Sequence, residues 1–354
     1  MGLSSTSEQI QTPVGVLGAG AFGTALANLL AENSEVLLYT RTPDKAESIR
    51  GSRRAADQDL HPAIRISHDL AEIAERCYLI IPIVPSTSFH ALIKTLGPML
   101  RPDHFVVHGI KGLHVEESHM EELIEQRCIH KDRILTMSEL IVRESSVLRV
   151  GCIHGPNLAR EIAEGYPAAT VVGSQFVEVI NEVKTALRSP RFQVYGSHDL
   201  YGIELAGVLK NILAIGSGMI RGLGYGENAR ALLLTRGLAE LISIGSALNI
   251  EARAFLGLAG IGDIIATCAG PLSRNYSLGY RIAKGESLQQ ILDSMTEPAE
   301  GARTLQIAYG LGRSLRIGLP IISILHQILF EDYPASEGLE RLMVYRVRQD
   351  VDFM

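Results

Sequence analysis

Three glycines spaced as Gly18-Ala19-Gly20-Ala21-Phe22-Gly23 sit between a short apolar run, Val14–Leu17, and an alanine- and leucine-rich stretch of helical character at residues 24–32. A strand that turns through such glycines into a helix has few folds open to it. Gly18 permits the tight turn, Gly20 lets the backbone approach a pyrophosphate, and Gly23 allows the helix to pack closely on the strand. The helix start then offers N–H groups and a positive dipole end to phosphates. A second apolar run, residues 36–40, ends about 20 residues after the turn, as a dinucleotide-binding unit requires.

The pattern continues. Residues 78–84 and 105–110 read as buried strands, with a helical stretch at 88–96 between them, and residues 168–172 and 192–195 extend the series. Alternating strand and helix predicts an α/β fold with a Rossmann-like, doubly wound parallel sheet. After Ser197-His198-Asp199 the character changes to helices at 200–220, 229–248, 276–284, 288–295, 302–315 and 321–329, separated by glycine-rich turns at 222–226 and 257–262. The expected organisation is a disordered tail at 1–12, a dinucleotide-binding domain at 13–197 and an all-helical substrate and catalytic domain at 198–354.

Composition narrows the partners. A net charge of −6 provides no broad basic field, which argues against nucleic acid. No run approaches the ~20 continuous apolar residues of a membrane span, and the N-terminus lacks the charged start and apolar stretch of a signal peptide. Cys77, Cys128, Cys152 and Cys268 are scattered without a CxxC, which points to neither a metal site nor a disulfide framework and suits reduced thiols in the cytoplasm.

Several polar residues stand where chemistry is expected. At the tip of the second strand, Tyr39-Thr40-Arg41 replaces the acidic residue that would favour an unphosphorylated ribose. Arg41 suits a 2′-phosphate and hence NADPH; a guanidinium there can equally stack on adenine, or stand as a solvated loop charge. Lys210 lies in an apolar helix with Ala206, Gly207, Leu213 and Ala214 as its neighbours, so no carboxylate on that helix pairs with it. Loss of hydration lowers such a lysine toward a useful acid–base range, although a partner on another helix would explain it structurally. Asp263, after the glycine-rich run 257–262, can cap the next helix, point at a lysine, or do both. Ser273-Arg274-Asn275 opens a helix and reads either as a cap or as a phosphate receptor. Lys111 ends the strand at 105–110, at the carboxyl edge where doubly wound sheets bind ligands, and Gly155-Pro156-Asn157 forms another turn in that half.

Taken together, GAGAFGTALA (18–27), KGL (111–113), HGPNLAREIA (154–163), LKNILAIGSGM (209–219), NARALLLTRGLAE (228–240), GLAGIGDIIATC (257–268), SRN (273–275) and Glu300-Gly301 closely resemble the bacterial NAD(P)-dependent glycerol-3-phosphate dehydrogenase family, in order and spacing. The resemblance implies reversible reduction of dihydroxyacetone phosphate to sn-glycerol 3-phosphate for glycerophospholipid synthesis, by a homodimer. It makes Lys210 the proton donor, with Asp263 orienting it and Lys111 close to substrate and nicotinamide. Asn211 and Thr267 match further active-site positions, Gly155 and Asn157 the substrate side, and Ser273, Arg274 and Asn275 the phosphate. Ala159, Arg274, Pro298 and Glu300 fall at cofactor positions with Lys111, the glycine turn (Gly18, Gly20, Ala21, Phe22, Gly23) and Arg41.

The chain departs from the family pattern at Asn157 (usually Ser or Thr), Tyr39 (Trp), Ala21 (Ser), Pro298 (aliphatic) and across residues 51–61. Two other readings fit part of the sequence. A β-hydroxyacid dehydrogenase shares the glycine turn and a lysine–asparagine pair, but not the SRN motif. A non-catalytic dinucleotide sensor would not require Lys210, Asn211, Asp263 and Arg274 together.

Overall fold

The computed structural model describes residues 12–295 and 299–345. The tail expected at 1–12 therefore falls almost wholly outside the described residues. Within them, eight strands form one sheet in the order Phe192–Ser197, Ala168–Gly173, Arg149–His154, Phe105–His108, Leu79–Pro82, Val14–Leu17, Val36–Tyr39 and Ile64–Ser67. Val14–Leu17 is buried at every position, as a strand covered on both faces must be. Its residues alternate between two cores. Val16, with Leu38, Ile81 and Val107, packs beneath the helix Ala21–Leu30. Leu17, with Leu37, Ile80 and Val106, meets the opposite layer, which includes Phe89, Ile93 and Leu140.

The fold class is the one expected, an α/β sheet followed by helices, with one correction to the sheet. It is not wholly parallel: Arg149–His154 runs parallel to Phe105–His108 but antiparallel to Ala168–Gly173. Two of its strands escape the sequence reading. Ile64–Ser67 is a four-residue edge strand with Arg65 exposed, and Arg149–His154 carries Gly151, Cys152 and His154 in place of a β-branched run.

The last strand, Phe192–Ser197, passes through the N-cap Asp199, whose carboxylate accepts the Gly202 N–H at 2.9 Å, into the helix Leu200–Gly222. This helix is the axis of the helical half. Glu227–Ala247, Asp263–Cys268, Arg274–Ala283 and Glu300–Leu315 all pack on it. Its contact with Arg274–Ala283 is backbone to backbone, since a Cβ at Gly279 would lie 1.9 Å from the Ile215 carbonyl. By length and hydropathy it is the one described helix that could cross a membrane, yet its apolar window is wholly buried by these neighbours.

Candidate active site

Because the central strands are parallel, their carboxyl ends share one edge, and the glycine turn, Ser86, Lys111 and Gly155 all follow strand ends there. Gly18 has φ +125°, and a Cβ on it would stand 2.1 Å from the Ile83 carbonyl. A Cβ on Gly23 would stand 1.9 Å from the Gly18 carbonyl. Neither position accommodates another residue. Gly20 precedes the helix Ala21–Leu30 in extended conformation, with no side-chain cap and no acidic residue in the first turn. That leaves the helix start open to an anion, so the residues present fit a dinucleotide pyrophosphate.

Other expected cofactor positions cluster around this turn. Ala159 begins a short helix, Ala159–Ala163, packed on Ala21–Leu30, and the Phe22 ring lies against Gly109, two residues before Lys111. Arg41 is exposed just beyond the Val36–Tyr39 strand. The atypical stretch 51–61 includes a small hairpin, Arg54–Ala55 with Gln58–Asp59, whose Gln58 amide donates to the Ala21 carbonyl at 2.9 Å. Pro298 lies outside the described residues.

The lysine site forms where sheet and helices meet. Lys210 Nζ lies 3.1 Å from Asp263 Oδ1 and donates to the Thr267 hydroxyl, which itself donates to Asp263 Oδ1 at 2.9 Å. Lys111 Nζ reaches the other carboxylate oxygen, Oδ2, at 2.5 Å and the Gly155 carbonyl at 3.0 Å. Lys210 and Asp263 are almost fully buried, whereas Lys111 keeps 21% of its side-chain exposure. Burial pushes Lys210 down to about 8, reinforced by Lys111 and opposed by Asp263. For Asp263, burial works to raise the pKa, but the two ammonium groups outweigh it and hold the carboxyl below its ordinary range. Asp263 is not the N-cap of the helix it opens; Gly262 holds that position. A π-turn, Leu258–Gly262, runs directly into Asp263–Cys268, and the carboxylate is turned inward to the lysines.

Ser273 caps the helix Arg274–Ala283 by accepting the Tyr276 N–H, and Arg274 is the exposed first residue of that helix. Asn275 instead braces a neighbouring helix start, its Oδ1 accepting the Gly301 N–H at 2.9 Å, beside the backbone of the buried Asn211. Asn157 donates to Thr170 Oγ1 at 3.0 Å, while its backbone N–H closes on the Gly155 carbonyl at 2.8 Å. Glu300 reaches across to the sheet edge, accepting the Ser86 N–H at 2.8 Å and the Ser86 hydroxyl. Ser86 escapes the sequence reading, as do His108 and Glu204, fully buried behind Lys111; a lone Glu in an apolar helix six residues before Lys210 was the available signal. Outside this site, His90, His114 and Glu116 form the one described group with metal-ligand potential. The Arg143 guanidinium already supplies a cation there, 2.9 Å from Glu116 and 3.3 Å from His90.

Comparison with known proteins matches the chain over residues 13–179 and 199–340 to the N-terminal and C-terminal family models of NAD-dependent glycerol-3-phosphate dehydrogenase. It is 40% identical to the NAD(P)+ glycerol-3-phosphate dehydrogenase of Pseudomonas paraeruginosa, covering 97% of this chain and 98% of that one. It is 37% identical to the Azotobacter vinelandii protein of the same name, with 97% of each covered. Among solved structures, the glycerol-3-phosphate dehydrogenase of Coxiella burnetii superposes with a TM-score of 0.84 at 29% identity, over 95% of this chain and 100% of that one.

Proposed function

The chain belongs to the NAD-dependent glycerol-3-phosphate dehydrogenase family, and we propose on that footing that it reduces dihydroxyacetone phosphate to sn-glycerol 3-phosphate with NADH or NADPH. The reaction is reversible and supplies glycerophospholipid synthesis. The observation that carries the reading is the buried Lys210, bound to Asp263 and Thr267 and facing the Lys111 edge of the sheet. We read residues 13–197 as the dinucleotide-binding part and 198–354 as the substrate and catalytic part, in a cytoplasmic homodimer.

Reduction adds a hydride to the central carbon of the ketone and a proton to its oxygen. The Gly18–Gly23 turn with Ala21 and Phe22 would hold the phosphates of a nicotinamide dinucleotide, with Arg41, Ala159, Arg274, Pro298 and Glu300 as the further positions expected to contact it, and that group would supply the hydride. Lys210 supplies the proton from Nζ and becomes a neutral amine. Its pKa of about 8 leaves it charged near neutrality while making that proton easier to release than an exposed lysine's. Asp263 fixes the direction of the amine, and Thr267 restrains it from the side. Lys111 holds the second Asp263 oxygen and places positive charge beside the developing alkoxide.

The phosphate falls to Ser273, Arg274 and Asn275, where a guanidinium stands at a helix N-terminus. Gly155, Asn157 and Asn211 complete the substrate side. The test is oxidation of NADH and of NADPH by purified protein with dihydroxyacetone phosphate. Turnover with that ketone supports the reading; turnover restricted to a β-keto acid would replace it with the carboxylate-directed alternative.

A further inference from the structure

Behind Lys111 the structure holds a hydrogen-bonded chain that takes no part in the chemistry above. Glu204 lies on Leu200–Gly222, the helix that carries Lys210, and is completely buried. Its Oε1 is 3.1 Å from His108 Nε2 and accepts the Ser138 N–H at 3.1 Å. His108, the last residue of the Phe105–His108 strand, accepts the Ile110 N–H on its other nitrogen, Nδ1, at 3.2 Å. An amide can donate only to a ring nitrogen without a hydrogen, so Nδ1 is bare and the ring proton sits on Nε2, which faces Glu204 Oε1 at 3.1 Å and the Ser138 hydroxyl at 3.2 Å. His154, edge-on to His108 at 5.9 Å between ring centroids, is neutral as well, because burial pushes it well below the usual histidine range. The charge of this cluster rests on Glu204.

Building on the reading of Lys210 and Lys111 given above, we propose that Glu204 and His108 are positioning residues that set Lys111 through the Ile110 amide. The carboxylate orients the imidazole, the imidazole grips the amide, and the next residue is Lys111, whose Nζ must reach both Asp263 and Gly155. One helix thus places Lys210 directly and Lys111 by way of the histidine. Bond for bond, the His108 ring copies an Asx turn, in which a side chain accepts the N–H two residues on.

That likeness supplies the test. His108→Asn can still accept the Ile110 N–H, whereas His108→Ala cannot. An ångström of displacement at a reacting group costs up to about 100-fold, so His108→Ala is expected to lower kcat by roughly 10- to 100-fold with little change in dinucleotide Kd, and His108→Asn to recover most of that loss. The titratable groups around Lys210 are Asp263, Lys111, Cys268 and His154. Loosening Lys111 removes a charge that depresses Lys210, so the basic limb of the pH profile moves up in His108→Ala and returns in His108→Asn. Equal losses in both variants, or an unmoved limb, would overturn the proposal. Nitrogen NMR of the 15N-histidine-labelled wild type checks the tautomer without any turnover: a bare Nδ1 in His108 is expected, and a proton on that nitrogen overturns the chain of bonds. Failure of the wild type to turn over dihydroxyacetone phosphate would count against the reaction instead, leaving the NMR result to decide the positioning pair.

Discussion

Lys111 and Lys210 take opposite oxygens of a single carboxylate, Asp263, at 2.5 and 3.1 Å. One comes from the end of a sheet strand and the other from the middle of a buried helix, so the carboxylate ties the two halves of the molecule together at the site. A buried anion shared by two cations is well compensated, and removing any one of the three leaves an uncompensated buried charge or a displaced ammonium.

Lys210→Ala is expected to abolish turnover and to leave dinucleotide binding largely intact. A well-placed acid or base is worth roughly 10²–10⁴ in rate. The pair of measurements is kcat and a fluorescence titration with NADH. A folded variant that turns over near the wild-type rate would remove Lys210 from the proton transfer.

The two directions of the reaction should depend oppositely on pH. Reduction needs Lys210 to begin protonated, so kcat/KM falls as pH rises through about 8. Oxidation of glycerol 3-phosphate needs the neutral amine, so its rate rises over the same window. Asp263→Asn removes the anion that opposes the depression, and should carry both limbs to lower pH. Parallel pH profiles in the two directions would contradict the assignment.

Arg274→Ala should weaken dihydroxyacetone phosphate far more than unphosphorylated dihydroxyacetone. A charge-assisted contact to phosphate is worth about 1.5–3 kcal/mol, or roughly a 10- to 100-fold rise in KM for the phosphorylated ketone alone. Equal effects on both ketones would assign Arg274 to the fold or to the cofactor.

Arg41 should give the enzyme its use of NADPH. It stands exposed where the second strand ends, with no carboxylate at the strand tip; Asp44 follows in the first turn of the helix Pro43–Ser52, which Thr42 caps. Arg41→Ala is expected to raise the Kd for NADPH selectively. If NADH suffers to the same degree, the guanidinium serves the adenine and the 2′-phosphate is read elsewhere.

Glu240 offers a test of stability away from the chemistry. Nearly buried, it accepts the Ile321 and Ile322 N–H groups at 2.6 and 3.0 Å, capping the helix Pro320–Phe330 from a neighbouring helix. Glu240→Ala strands two buried donors and should lower unfolding stability by about 1–3 kcal/mol with kcat unchanged. Denaturant midpoints and activity on the same preparations provide the comparison.

What could be read in the sequence divides along physical lines. The glycine turn was legible because its signal is local: three glycines, a strand before and a helix after. Lys210 was legible because a charge in an apolar helix demands a partner. Its partner's geometry was not: a π-turn at Leu258–Gly262 carries Asp263 inward, where a glycine-rich run suggested a cap. Arg149–His154 hid because Gly151, Cys152 and His154 owe their burial to both neighbouring strands and to the helix Leu200–Gly222, not to any β-branched pattern. The Ser86–Glu300 and His108–Glu204 contacts join residues far apart in the chain, and periodicity carries no trace of such pairs.

The helix Leu200–Gly222 also has a history in time. The helices that pack on it in the helical half are all encoded after it, through Pro320–Phe330, whose Leu325 lies against Gly216. At roughly 5–20 residues per second on the ribosome, that leaves a segment as long and apolar as a membrane span uncovered for on the order of ten seconds. During that interval it has the appearance of cargo for the membrane-insertion machinery. Until those helices are made, the element that carries Lys210 exposes apolar surface that self-association or a membrane could capture.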